Sequence, residues 1–140
     1  EAKIKDMLQR YPIDKKRVWT LGYGRNGVFA LLVGINSPDL VTAAAGIDTT
    51  VVNAFVSGGD SGSGQTVGVF DFSNDASQQI PLLLVSFAGG NQTPQGNQEK
   101  TKEVLEKYGY PVTYKEFSGP TQQPDRRNLE QIYTWFKSGQ

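Results

Sequence analysis

Apolar and polar positions along this chain change period several times, and the changes outline its elements. Residues 2–11 place Ile4, Met7 and Leu8 at helical spacing among charged residues, which predicts a short amphipathic helix ended by Pro12. Residues 18–21 form an apolar β-type run, and residues 28–36 an apolar helical one stopped by Ser37-Pro38-Asp39. Residues 40–47 are small and apolar, as expected of a buried strand closely packed by helices, with Asp48 at its end. Residues 80–87 are apolar but for Ser86 and predict a parallel strand buried on both faces. A helix over 98–108 closed by Gly109, a strand over 112–117 and an amphipathic helix over 126–137 complete the pattern. The last helix carries Leu129, Ile132, Tyr133 and Phe136 on one face, with Asp125 placed to cap it.

Strands alternating with helices predict an α/β domain: a three-layer αβα sandwich around a mainly parallel sheet of four to five strands. The 140 residues suit one domain, 1–140. The region 50–78 fits this pattern least. Residues 51–56 read as either a short helix or a strand, residues 57–64 as a Gly/Ser loop, and residues 66–72 as an extra edge strand.

Composition removes several function classes. Fourteen basic and fourteen acidic residues cancel, so no strong field attracts nucleic acid or an anionic membrane. No apolar run approaches the ~20 residues of a membrane-spanning helix. Neither a signal peptide nor an initiating Met is visible, as expected of a mature chain or an excised fragment. Cysteine is absent, which excludes disulfides and thiolate chemistry. Histidine is absent too. Without it the chain cannot complete a Ser-His-Asp triad or hold a His-ligated metal. No cofactor or metal is expected.

One motif stands out. Gly22-Tyr23-Gly24-Arg25-Asn26-Gly27 lies between a strand and a helix. Its glycines match G-x-G-x-x-G, a dinucleotide-binding turn, with Asp48 about 20 residues later as the ribose ligand. In this reading Gly22, Gly24, Gly27 and Asp48 bind a phosphate-bearing ligand at the C-terminal ends of the strands. Read instead against the nucleophile elbow G-x-S-x-G, the turn puts Gly24 where the serine would stand. Trp19 and Trp135 read as core residues rather than sugar platforms, and Asp14-Lys15-Lys16-Arg17 as a solvated turn.

Three separated blocks carry a resemblance. Residues 11–47 (YPIDKKRVWTLGYGRNGVFALLVGINSPDLVTAAAGI), 80–94 (IPLLLVSFAGGNQTP) and 108–136 (YGYPVTYKEFSGPTQQPDRRNLEQIYTWF) fall in the order found in α/β-hydrolases of the secreted esterase and polyhydroxyalkanoate-depolymerase type. The chain resembles the C-terminal half of that fold. The resemblance implies secretion and a carboxylic ester hydrolase, but its three catalytic positions are altered. Gly24 stands at the nucleophile, Asn91 at the acid, and Gln122, with Gln123 as the other candidate, at the histidine. Glycine has no nucleophile, asparagine no charge, and glutamine no proton to shuttle near neutrality. Of the oxyanion hole, only the Arg25 N–H would remain.

The implied role is a catalytically inactive scaffold, degenerate or engineered. The alternatives are the dinucleotide reading and half of an esterase completed by another chain. In the parent family the strand at 18–21 is flanked by strands that this sequence does not contain. Its edge is therefore expected to recruit a second copy or a complementing chain, or to be covered by residues 50–78, whose segment 66–72 is strand-like.

Overall fold

In the computed structural model, residues 1–49, 66–67, 70–88, 95–118 and 124–138 are described. The chain runs α1 (Ala2–Arg10), β1 (Trp19–Tyr23), α2 (Arg25–Asn36), β2 (Ala43–Ile47), β3 (Thr66–Val67) and β4 (Phe70–Asp71). It continues with a 3-10 turn (Ala76–Gln78), β5 (Leu82–Ala88), α3 (Gln95–Lys107), β6 (Val112–Ser118) and α4 (Arg126–Ser138).

Four parallel strands form the sheet in the order β1-β2-β5-β6. Register runs from Trp19 opposite Ala43 to Tyr23 opposite Ile47, then Ala44 opposite Leu82 and Leu82 opposite Val112. Two cores result. On one face Ala44, Leu82 and Leu84 pack with Leu31 and Ile35 of α2 and Leu105 of α3, and Ile4 of α1 leans on the same cluster. On the other face Ala43, Ala45, Ile47, Leu83, Val85 and Phe87 pack with Ile132 and Phe136 of α4. Successive strand residues feed opposite faces, so a strand buried on both sides is apolar throughout. That is the physical basis of the apolar run at 80–87, and the three-layer αβα arrangement is as expected.

Element ends differ from the sequence reading by a few residues. Helix α2 starts at Arg25, three residues early, because the glycine turn leads directly into it. Helix α3 likewise starts at Gln95. Strand β2 is shorter than the apolar run, because Leu40 and Val41 donate their N–H groups to the Ser37 carbonyl in a turn. Gly109 closes α3 at φ +90°, with the Tyr110 N–H on the Leu105 carbonyl. Asp125 caps α4 reciprocally: its Oδ1 accepts from the Asn128 N–H at 2.8 Å, and its own N–H donates to Asn128 Oδ1 at 3.1 Å.

One of the three outcomes expected for the edge of β1, its coverage from within the chain, is not seen among the described residues. The segment 66–72 does not cover the edge of the sheet. Its strands β3 and β4 pair only with each other, antiparallel, and β4 packs beside α2. The side chains decide this: Phe70 and Phe72 are fully buried, and Phe72 stacks on Tyr108 at 4.3 Å between ring centres. Aromatic burial over α2 and α3 outweighs the few hydrogen bonds that so short a strand would gain at the edge. Among the described residues β1 therefore remains an edge strand, with Leu21 46% and Tyr23 38% exposed. The readings of 51–56 and 57–64 lie outside the described residues.

Candidate functional site

The turn between β1 and α2 stands at the C-terminal ends of the strands. Gly24 sits at its crest with φ 57° and ψ −124°. That conformation strongly favours glycine, and a residue with a side chain would be strained there. An added Cβ on Gly24 would meet no atom of the described residues within 4 Å. The glycines on either side serve a different purpose. A Cβ on Gly22 would collide with the backbone carbonyl of Asn26, and one on Gly27 with the Thr49 side chain. Strand and helix can meet at such a sharp angle only because both positions lack a side chain.

Thr49, fully buried, ties the turn down. Its hydroxyl lies 3.2 Å from both the Gly24 and Ile47 carbonyls. The Gly24 N–H donates to the Ile47 carbonyl at 2.8 Å, and the Gly27 N–H to the Gly24 carbonyl at 3.1 Å. Within β1, the Thr20 hydroxyl donates to the Ala30 carbonyl at 2.8 Å and fixes α2 along the strand. Sequence reasoning missed Thr49. Its signal was weak: a threonine just beyond the predicted end of β2, opposite a glycine.

Asp48 also lies at this end of the sheet, in a left-handed conformation with φ 47°. Its carboxylate accepts the Phe87 N–H at 3.0 Å, which joins the ends of β2 and β5. Burial raises its pKa above the ordinary aspartate value, and the bond from Phe87 opposes that shift. Tyr23 is raised too, by burial first and then by the negative charge of Asp48.

The structure thus gathers Gly22, Gly24, Arg25, Gly27 and Asp48 at one end of the sheet. Asn91, Gln122 and Gln123 lie outside the described residues. As first-turn residues, Arg25 and Asn26 have no intrahelical acceptor for their N–H groups. They give the crest the partial positive charge of a helix start. No group of three or more His, Cys, Asp or Glu side chains suited to a metal occurs among the described residues. No described helix is long and apolar enough to cross a membrane.

Solved structures share this architecture. SOBER1 from Arabidopsis thaliana superposes with a TM-score of 0.71 at 14% identity, over 99% of this chain and 60% of that one. The carboxylesterase of Bacillus cereus gives 0.67 at 12% identity, over 98% and 57%. MGS-M1, an alpha/beta hydrolase from a Medee basin deep-sea metagenome library, gives 0.67 at 11%, over 99% and 60%. The fold is α/β-hydrolase-like. The chain spans about 60% of the length of these proteins. No protein-family model matches the sequence, and no curated protein does. The Gly22–Gly27 turn joins β1 to α2, with Gly24 at its crest.

Proposed function

We propose that this chain is a hydrolase-like domain without hydrolytic chemistry, retained as a scaffold. The observation that carries this reading is Gly24: the apex of the elbow has the backbone a nucleophile would need and no side chain to be one. The absence of histidine supports it, as do Asn91 and Gln122 at the positions that the sequence resemblance gives to acid and base. The folded protein is expected to show no turnover of p-nitrophenyl acetate or butyrate above buffer. Saturable turnover that disappears on heat denaturation would overturn this.

The dinucleotide reading needs an open turn and an acid facing it. Here the Gly24 and Gly27 N–H groups are spent inside the turn, and Asp48 holds the Phe87 N–H. This use of the donors favours the silent elbow.

A second reading concerns assembly, and the exposed apolar edge of β1 favours it. Leu21 and Tyr23 share the face on which Trp19 stacks on Phe136 at 5.0 Å, yet both remain exposed. We propose that another strand pairs there, from a second copy or from a complementing chain. Sedimentation is expected to show an associated species that Leu21→Lys dissociates. A wild-type monomer in sedimentation that captures no added complementing half would refute the pairing.

A further inference from the structure

A groove of 340 Å³ lies between α1 and the N-terminal end of β1, the end of the strand far from Gly24. Ile4, Met7 and Leu8 of α1 form one wall, and Ile13, Val18 and Trp19 form the other. The amphipathic face of α1 is only partly used by the core. Ile4 and Leu8 are half-buried, while Met7 is 47% exposed. Lys3 and Arg17 complete the lining, and no carboxylate lines the groove. Arg17 is steadied by Asp14, with Nε 3.4 Å from Oδ2, and Lys3 forms no ion pair among the described residues. An apolar slot lined by Lys3 and by Arg17, the latter paired with Asp14, complements a ligand with an apolar body and a negative head. The volume is at the small end of ligand pockets, of order 300 Å³. It suits a single flexible chain better than the face of a peptide helix, which needs anchors over two turns or more.

We propose that this groove binds a free medium-chain fatty carboxylate, its chain along Ile4, Met7 and Trp19 and its carboxylate at Lys3 and Arg17. The site is separate from the elbow and does not depend on the reading of Gly24.

Titration calorimetry with monomeric dodecanoate, below its micellar concentration, tests it on the full chain. Saturable one-to-one binding is expected. Dodecyltrimethylammonium, with the same chain and the opposite charge, should bind at least about fivefold more weakly, as should dodecanoate to the K3E/R17E variant. Both substituted positions are exposed and leave the core untouched. Met7→Asp, which sets a charge in the slot, should abolish binding while the circular dichroism spectrum is unchanged. Absence of saturable binding would overturn the proposal. So would equal affinity for the cationic amphiphile, or binding that survives Met7→Asp. Self-association that Met7→Asp dissociates and Leu21→Lys does not would also overturn it, because the groove would then be an interface between copies.

Discussion

Gly22→Ala is expected to destabilise the protein by roughly 3 kcal/mol, although it adds a single methyl group. The new Cβ would run into the backbone carbonyl of Asn26 in the first turn of α2. Backbone cannot step aside like a flexible side chain, so strand and helix would have to separate. Thr20 and Thr49 bind both sides of that junction and resist the movement. Gly24→Ala provides the contrast. Its Cβ meets no atom of the described residues, and the cost is only the strain of a left-handed backbone, about 1–3 kcal/mol. Urea unfolding of the two variants checks the order: Gly22→Ala should have the lower midpoint at an unchanged slope. Equal midpoints would mean that the elbow relaxes freely, and the close approach of β1 to α2 would lose its structural importance.

A cysteine placed at the apex should be unusually reactive. The chain has no cysteine of its own, so Gly24→Cys introduces the only thiol. That thiol would stand beside the first N–H groups of α2, where a negative charge is stabilised. Its pKa is expected to fall at least about one unit below the ordinary value near 8.5. The rate of iodoacetamide labelling, followed against pH, measures this directly. Gln131→Cys, exposed in the middle of α4, is the reference. Coincident pH profiles for the two thiols would show that the helix start exerts no field at the crest. A lowered profile would show that the start of α2 stabilises negative charge at the crest. The silent-scaffold reading requires that distinction. A thiolate without a histidine partner can be alkylated, but it has no general acid for the leaving group.

The sequence alone determined the layer architecture and placed the glycine turn between a strand and a helix. The run at 80–87 could be apolar at every position but Ser86 only if helices covered both faces of its strand, as the two cores beside Leu82 to Phe87 show. Of the predicted stripe Leu129, Ile132, Tyr133 and Phe136 on α4, only Ile132 and Phe136 are buried, while Leu129 and Tyr133 stay exposed; Asp125 marked the start of the helix. Glycines flanked by a strand and a helix were enough to place the elbow. In each case the signal is local, because period, cap and turn residue act within a few positions of the chain.

Tertiary structure decided everything that depends on what meets across space. The segment 66–72 reads as a free strand by alternation, but the burial of Phe70 and Phe72 over α2 and α3 removes it from the sheet and leaves β1 at the edge. Asp48 reads as a ribose ligand by spacing; that its carboxylate also accepts the Phe87 N–H from a strand 39 residues later depends on how β2 and β5 meet. Thr49 has no motif at all, and its role follows only from the packing of β2 against the elbow. The groove under α1 is equally invisible in the chain, because half of its lining comes from the helix and half from the segment leading into β1. Sequence periodicity reports which side of an element is apolar; which partner covers that side, or leaves it open, is decided by the competition among all the surfaces the fold brings together.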